Sequence, residues 1–286
     1  MNKLPITVVI AAKNEEANMP KCLASLKPAE KVILADSGSS DRTAEIADSF
    51  GAEVVQFNYA GGYPKKRQWI LNTISIETSW VFMVDADEEI PRELWLEIER
   101  EILSTNPAVG YMINKGFHFM GNKFKFGGFS HPAVLLWRSG QGTFEETLAT
   151  EANQQDMEVH ERVVISGEIR SLKHHLVHND FKGLHAYYDR HNKYSTWEAA
   201  LRYQFIENGH WGKSKVKAKL FGNSQEFRRF LKKFIIALPF EPWVWFVYHY
   251  LIQLGFLEGQ RGLIASQIRR EYIRQVRSKV FELQCK

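Results

Sequence analysis

The segment Val84-Asp-Ala-Asp-Glu-Glu89 carries two aspartates two positions apart, directly after the apolar run Trp80–Val84. At the end of an extended strand, residues i and i+2 point to the same side, so Asp85 and Asp87 would present two carboxylates together. Such oxygen donors suit Mg²⁺ or Mn²⁺ held jointly with substrate phosphates, where the ion would neutralise a leaving diphosphate. An acidic turn or a helix N-cap produces the same pattern, so the motif alone does not establish a metal site.

Three other polar segments could bind a nucleotide. Lys13-Asn-Glu-Glu16 and Asp36–Asp41 could bond the base and ribose, although Asp41 is also placed to cap a helix. The basic triplet Lys65-Lys-Arg67 could contact a diphosphate, or it could be a solvated surface run. The chain has neither G-x-G-x-x-G nor G-x-x-x-x-G-K-[ST], so its sequence supports neither dinucleotide binding nor P-loop chemistry.

These polar segments follow apolar runs that predict buried strands, and the strands alternate with segments of helical spacing. The predicted strands are Ile6–Ala12, Lys31–Ala35, Glu53–Phe57 and Trp80–Val84, and the predicted helices are Asn18–Leu26, Thr43–Phe50, Lys65–Ile74 and Arg92–Ser104. This alternation predicts an α/β fold with a mostly parallel sheet and helices on both of its faces. Because ligands of such sheets bind at the carboxyl ends of the strands, we expect the polar clusters to meet at one edge.

The rest of the chain has a different character. Residues 110–178 predict an α+β half with shorter strands, and residues 183–206 predict an amphipathic helix. Only two cysteines occur, Cys22 and Cys285, which form neither a disulfide framework nor a zinc site by themselves. A reducing, cytoplasmic compartment is therefore expected.

Together the segments Ile6–Glu16, Ala35–Thr43 and Val84–Glu89, in this order and spacing, resemble the family 2 glycosyltransferases of GT-A fold. Within that family the chain is most similar to bacterial enzymes that build lipopolysaccharide core, capsule or exopolysaccharide. The resemblance implies a catalytic domain over residues 1–210 and a basic, aromatic-rich helical tail over residues 211–286. Residues 1–109 would bind the nucleotide sugar, and residues 110–210 would carry the acceptor side and the base.

The activity that this resemblance implies is an inverting transfer of a hexosyl group. A nucleotide-sugar donor would give its sugar to a hydroxyl of a glycolipid or oligosaccharide acceptor, and Mn²⁺ or Mg²⁺ would leave with the nucleoside diphosphate. The implied donor-binding residues are Ala11, Lys13, Glu15, Asp36, Ser37, Arg67 and Asp85, the implied metal ligands are Asp87 and His178, and the implied catalytic base is Glu161.

Within that set, several assignments have alternatives. The family often has two adjacent aspartates after the second strand, and Ser37 stands at the second place, which weakens the case for base recognition by Asp36. A carboxylate can accept the acceptor's proton, and Glu161 competes for that role with Glu145, Glu146 and Asp156. His178 could equally be a structural histidine. The segment Gly127-Gly-Phe-Ser-His-Pro132 could shape the acceptor side.

The C-terminal third predicts contact with a membrane. From residue 201 onward the chain has 16 Lys and Arg against 6 Asp and Glu, whereas the first 200 residues have 21 against 27. The run Phe234–Leu257 is apolar and rich in Trp and Tyr, but Pro239, Glu241 and His249 argue against a simple membrane span. An in-plane or re-entrant segment on an anionic cytoplasmic leaflet fits this pattern, as does a helix packed on the catalytic domain or within a homodimer. We therefore expect a peripheral protein on the inner face of the cell membrane, with no nucleic-acid partner.

Other functions share some of these features. A phosphatase or phosphotransferase would use the first aspartate of D-x-D as a nucleophile, but that motif usually follows the first strand rather than the fourth. A nucleotidyltransferase would prefer a glycine-rich phosphate loop near the N-terminus. A non-enzymatic lipid-binding scaffold would not need Asp85 or Asp87. Nucleotide-sugar turnover distinguishes these alternatives.

Overall fold

A computed structural model describes residues 3–58, 64–144, 162–178, 183–208, 219–221, 224–236 and 238–285. The chain divides into two compact units. The first unit takes the described residues of 1–116, 130–144 and 156–179, and the second takes those of 117–129 and 180–286.

Strands occur mainly in the first unit, and the long helices occur in the second. The strands are β1 (Leu4–Ala12), β2 (Ala29–Asp36), β3 (Glu53–Gln56), β4 (Trp80–Asp85), β5 (Glu88–Glu89), β6 (Gly110–Lys115), β7 (His118–Phe119), β8 (Asn122–Lys123), β9 (His131–Arg138), β10 (Gly142–Phe144), β11 (Val163–Ile165) and β12 (Ile169–His178). The helices are α1 (Met19–Ser25), α2 (Thr43–Ser49), α3 (Lys66–Thr73), α4 (Arg92–Ile102), α5 (Leu184–Asn208), α6 (Ser224–Ile235), α7 (Glu241–Val247) and α8 (Gly259–Gln284).

The first unit is built on a sheet of eight described strands in the order β3-β2-β1-β4-β9-β6-β12-β5. Strands β3, β2, β1 and β4 are parallel neighbours, and β6 pairs with β12 in parallel. Strand β9 runs antiparallel to both β4 and β6, and β5 runs antiparallel to β12. Six of these eight strands therefore point the same way, which brings their carboxyl ends to one edge.

Both faces of this sheet are covered, as the continuous apolar runs of its strands require. In β1, Ile6, Val8 and Ile10 belong to one buried cluster, and Val9 belongs to a second. The first cluster includes side chains of α1 and α4, and the second includes Ile70 of α3. The alternation of β1 side chains between two apolar layers fixes the strand in the middle of the sheet.

The predicted α/β class and its mostly parallel sheet with flanking helices are confirmed. Each of the first four predicted strands and helices exists, with ends that differ by one or two residues. The main difference is the antiparallel strand β9, which lies between β4 and β6. Pairing between β4 and β9 covers only Trp80–Phe82, so it stops before Asp85.

The second unit is largely helical. Helix α5 packs against α8, and Ala199, Tyr272, Ile273 and Val276 form the buried contact between them. A π-helical turn at Tyr248–Ile252 and a 3₁₀ turn at Gly255–Glu258 connect α7 to α8. The 3₁₀ turn packs tightly, because a Cβ on Gly262 would lie 1.9 Å from the carbonyl oxygen of Gly255.

Helix α5 thus belongs with the C-terminal helices. The predicted boundary at residue 210 lies among residues 209–218, outside the described ranges, and stays a prediction. None of the helices that the structure describes has the length and apolar character needed to cross a bilayer.

Candidate active site

Strand β1 lies between β2 and β4 and brings their carboxyl ends together. Ala12 is the register partner of Asp36 in β2, and Ala11 is the register partner of Asp85 in β4. The predicted donor residues Ala11, Asp36 and Asp85 therefore lie side by side on three adjacent strands. Their meeting at one edge, which the order of strands and loops predicted, is confirmed geometrically.

The loops after β1 and β2 are joined by hydrogen bonds. The backbone N–H of Glu15 donates to Thr43 Oγ1 at 2.8 Å, and that of Glu16 donates to Asp41 Oδ2 at 3.1 Å. Asp41 Oδ1 also accepts a hydrogen bond of 3.0 Å from the N–H of Thr43 at the start of α2. Asp41 therefore bonds the first residue of α2 and the loop after β1 at the same time, although the N-cap position itself is occupied by Arg42.

Asp36 is buried, and its carboxylate points back into its own loop. Its oxygens accept hydrogen bonds from the hydroxyl and the backbone N–H of Ser39, the latter at 3.0 Å from Oδ2. The N–H of Ser37 donates to the carbonyl of Ala12 at 3.1 Å, and Ser37 Oγ is buried with no partner among the described residues. A buried hydroxyl without a partner is available to a ligand at this edge.

Asp85 is held by two cations. Arg67 Nη2 donates to Asp85 Oδ1, and Lys115 Nζ lies 2.7 Å from Asp85 Oδ2. Lys115 Nζ also lies 2.6 Å from Oε1 of Glu88. Glu88 is fully buried, and its Oε2 accepts a hydrogen bond of 2.9 Å from the backbone N–H of Asp85. These four side chains form one compact ion cluster that fixes the end of β4.

The cluster shifts the pKa values of its members in opposite directions. Burial raises the pKa of Asp85, but the charges of Arg67 and Lys115 outweigh it and hold that pKa well below its usual range. Burial likewise lowers the pKa of Lys115, but Asp85 and Glu88 raise it above the usual value. Burial raises the pKa of Glu88, with Lys115 opposing the shift. Asp85 is therefore a carboxylate and Lys115 an ammonium ion at neutral pH.

Asp87 is paired with the histidine that the resemblance assigns to the metal. His178 Nε2 lies 3.2 Å from Asp87 Oδ2, because the antiparallel register of β12 and β5 places His178 opposite Glu88. Burial lowers the pKa of His178, but its hydrogen bond to Asp87 raises it above the usual value.

The expectation that Asp85 and Asp87 share one side of an extended strand is wrong. The chain turns at Ala86-Asp87 before β5, and the two aspartates have different partners, a cation pair for one and an imidazole for the other. Among the described residues, no group of three or more His, Cys, Asp or Glu side chains could hold a metal ion. Asp87 and His178 are a carboxylate and an imidazole that lie within hydrogen-bonding distance of each other.

The basic triplet is not a solvated run. Lys65 and Lys66 are buried, and Lys66 Nζ donates to the carbonyl of Ala12 at 3.2 Å. Helix α3 thus places two cations at the edge of the sheet: Lys66 lies at the carboxyl end of β1, and Arg67 lies at the carboxyl end of β4.

The other predicted residues are distributed as follows. Lys13 is exposed in the loop after β1, and Glu15 is half-buried and accepts a hydrogen bond of 2.6 Å from Asn18. Glu161 and its competitors Glu145, Glu146 and Asp156 lie outside the described residues. Sequence reasoning missed Lys115 and Glu88 as members of the cluster. In the sequence, Lys115 is only a lysine at the end of a strand and Glu88 only a glutamate next to the D-x-D motif, and neither feature indicates an ion cluster.

The chain is similar in sequence to known glycosyltransferases. The family model described as glycosyl transferase family 2 matches residues 7–157. The lipopolysaccharide core biosynthesis glycosyltransferase LpsC of Rhizobium meliloti (strain 1021) is 27% identical over 213 residues, covering 72% of this chain and 74% of LpsC. An uncharacterized glycosyltransferase of Rickettsia bellii (strain RML369-C) is 39% identical over 102 residues, which are 35% of this chain and 34% of that protein.

A glucosyl-3-phosphoglycerate synthase from Mycobacterium tuberculosis, crystallised with Mn²⁺, uridine diphosphate and glucosyl-3-phosphoglycerate, is 24% identical with a TM-score of 0.30. The match covers 41% of this chain and 44% of that one. The family match extends over more than half of the chain, from within β1 past the end of β10, and includes the turn with Asp85 and Asp87. The chain belongs to glycosyl transferase family 2.

Proposed function

We propose that the protein transfers a sugar, with inversion, from a nucleoside diphosphate sugar to a hydroxyl of a lipid-linked or polysaccharide acceptor in bacterial envelope glycan synthesis. The observation that carries the proposal is the pairing of Asp87 with His178 next to the cation-bound Asp85 at the ends of parallel strands. The name of LpsC, the relative with the longest match among those described above, supports an envelope acceptor.

The roles proposed for the donor-side residues come from the family resemblance, and their positions at one edge of the sheet support them. Asp36 and Glu15 would lie beside the nucleoside, Ser37 would offer its unpartnered hydroxyl, and Asp85 would bind the ribose. Arg67 and Lys66 supply positive charge near the diphosphate, with the Arg67 fork able to bind an oxygen pair. Lys115 keeps Asp85 ionised and in place.

Asp87 and His178 would hold Mn²⁺ or Mg²⁺, since the Asp87 carboxylate together with phosphates and water suits either ion, and His178 would be a second donor beside it. When bound, the ion would supply positive charge that stabilises the departing diphosphate. Glu161 would accept the proton of the acceptor hydroxyl as that oxygen attacks the anomeric carbon from the side opposite the leaving group. The protein would act in the cytoplasm, peripherally on the inner face of the membrane.

The proposal is tested by a screen of nucleoside diphosphate sugars with purified protein, with and without Mn²⁺. Metal-dependent release of a nucleoside diphosphate by the wild type, and its loss in Asp87→Ala, is the expected result. Release of inorganic phosphate would indicate a phosphatase. Release of a sugar 1-phosphate, with transfer of the nucleotidyl group, would indicate a nucleotidyltransferase. Absence of both turnover and donor binding over the whole panel would indicate a scaffold and would contradict the proposal.

A further inference from the structure

The segment from α7 to the 3₁₀ turn exposes one apolar face. Six of its exposed residues, here called the apolar surface, are Trp243, Val247, Leu251, Ile252, Leu254 and Leu257, and Tyr248 and Phe256 are exposed beside them. Trp243, Val247 and Leu251 follow one another at intervals of four, so they share one side of the helical segment. Trp243 is 55% exposed and Ile252 is 65% exposed, which is unusual for such large apolar residues in one short segment.

The opposite face of this segment is fixed inside the second unit. Glu241 is buried and accepts two hydrogen bonds from Arg202 Nη1, at 2.9 and 2.8 Å. His249 is buried and bonds the carbonyl of Gly127 through Nδ1 at 2.6 Å. A Cβ on Gly255 would lie 2.5 Å from the carbonyl oxygen of His249, so the turn leaves no room for a side chain at this position. The segment is therefore amphipathic, with one buried face and one open face.

A cation borders the open face at Trp243. The guanidinium of Arg270 lies 4.5 Å from the ring centroid of Trp243 and 2.8 Å from a carboxylate oxygen of Glu271. Arg269 contacts Trp245 on the opposite, buried face, with 5.1 Å between the guanidinium and the ring centroid. The chain beyond residue 200 carries 16 Lys and Arg against 6 Asp and Glu. Aromatic and aliphatic side chains bordered by cations are the chemistry that binds the headgroup region of an anionic bilayer.

Helix α6 has the same character. Phe227, Leu231 and Phe234 are exposed and lie four and three positions apart, which puts them on one side of the helix. The second unit thus has two helical segments whose open faces are apolar.

The segment 117–129 is attached to the helical segment that carries the apolar surface. Glu258 Oε1 accepts from the backbone N–H groups of Lys125 and Phe126, at 2.6 and 2.8 Å. The N–H of Gly127 donates to the carbonyl of Gln253 at 2.7 Å, and the ring of Phe129 stacks on His249 with centroids 4.5 Å apart. In the chain this segment begins two residues after Lys115, which binds Asp85.

We propose that the apolar surface lies in the plane of an anionic lipid bilayer, and that the segment 117–129 is positioned by the docked surface. This inference rests on the proposed membrane association of the transferase and identifies the residues that make it. A second copy of the chain is the alternative occupant, and the positive charge beside Trp243 favours the anionic lipid over a like-charged copy.

The test uses the full chain and vesicles of phosphatidylcholine with or without phosphatidylglycerol. The wild type should sediment with the anionic vesicles, and Leu251→Glu and Ile252→Glu should each reduce the bound fraction at least fivefold. Leu103→Glu is the matched control, because Leu103 at the end of α4 is as exposed (63%) as Ile252 but lies in the first unit. It should bind like the wild type.

Tryptophan quenching and hydrogen exchange test the same contact without relying on the glutamate variants. Brominated lipids should quench the tryptophan fluorescence of the wild type, and Trp243→Phe should remove most of that quenching while vesicle binding persists. Hydrogen exchange should slow on vesicle binding within 240–257 and also within 117–129, and Glu258→Ala should abolish the second effect alone.

Several outcomes would overturn the inference. These are no sedimentation of the wild type, unchanged binding in both glutamate variants, or a lipid-free dimer that Ile252→Glu dissociates without any vesicle binding. Hydrogen exchange that does not change within 117–129 on vesicle binding would overturn the proposed positioning of that segment.

Release of nucleoside diphosphate in solution is measured in parallel. Turnover without vesicle binding would contradict this inference alone, and vesicle binding without turnover would contradict the proposed function alone.

Discussion

The ammonium of Lys115, at the end of β6, lies 2.7 Å from the carboxylate of Asp85 at the end of β4. A second carboxylate, that of Glu88, shares the same ammonium at 2.6 Å. The first aspartate of the D-x-D motif is thus a member of an ion cluster.

Removing the cation of this cluster should destabilise the first unit. Lys115→Met leaves the fully buried Glu88 without its counter-charge, and breaking a buried ion pair in this way costs about 3 kcal/mol. The double variant Lys115→Met/Glu88→Gln should lose less than the sum of the two single changes. Urea denaturation measures all three.

The surface pair of Lys31 and Glu53, 2.7 Å apart with both side chains well exposed, provides the control. Lys31→Met should cost less than about 1 kcal/mol, as exposed ion pairs do. Strictly additive losses in the Lys115 and Glu88 cycle would mean that the two groups do not interact, contrary to the geometry.

Arg67 should contribute to donor affinity. Arg67→Ala removes the fork proposed for the diphosphate and should weaken donor binding by about tenfold, or about 1.4 kcal/mol. Arg67→Lys should recover part of the loss, because an ammonium keeps the charge without the two parallel donors. Isothermal titration with the donor measures both, and Arg100→Ala on the exposed side of α4 is the control. If Arg67→Ala binds the donor as tightly as the wild type does, Arg67 does not contact the diphosphate.

Glu161 should act in the chemical step and not in binding. Glu161→Gln should reduce kcat by at least about a hundredfold, the effect expected of a lost general base, with donor affinity retained. The comparison variants are Glu145→Gln, Glu146→Gln and Asp156→Asn, each of which should keep most of the activity. If one of these is inactive while Glu161→Gln is fully active, the base has been assigned to the wrong carboxylate.

The stability of the second unit should depend on pH through His249. Burial lowers the pKa of His249 to about 4, helped by the charge of Arg269 and opposed by the hydrogen bond with Gly127. Nε2 is buried with no partner among the described residues, so an added proton there would not be hydrogen-bonded.

The unfolded chain takes up this proton near pH 6.5, whereas the folded chain resists until about pH 4. Stability is therefore highest above pH 6.5 and falls as the pH drops from 6.5 towards 4, by roughly 1 to 2 kcal/mol at pH 5. His249→Phe keeps the stacking on Phe129 and should flatten this dependence between pH 5 and 7. Since burial also lowers the pKa of His191 to about 4, part of the slope should remain. A slope identical to that of the wild type would contradict the role of His249.

The first half of the fold could be predicted because its strands are buried on both faces. Continuous apolar, β-branched runs such as Ile6–Ala12 are stable as strands that are covered on both faces of a sheet. Parallel strands then bring the loops that follow them to one edge. This is why Asp36 and Asp85 could be placed together from sequence. The turn at Ala86-Asp87 could not, because it depends on the pairing of β5 with β12, which lies about 90 residues further along the chain.

Lys115 escaped prediction for a similar reason. It reaches Asp85 because β9 pairs with β4 only over Trp80–Phe82, and local patterns do not determine how far two strands pair. From sequence alone Glu88 is one more acidic residue beside the motif, since its burial depends on that same arrangement. The pairing of His178 with Asp87 was anticipated only through family resemblance.

The central claim is that Asp87 and His178 form the protein's share of a divalent-cation site completed by the donor's diphosphate. Electron paramagnetic resonance of Mn²⁺, titrated with protein in the presence of a nucleoside diphosphate that the donor screen identifies, tests it most directly. The wild type should bind the ion with a spectrum distinct from that of Mn²⁺–nucleotide alone, and Asp87→Asn and His178→Ala should each weaken binding at least tenfold, while Glu89→Gln should not. Equal binding by all four proteins would contradict the claim.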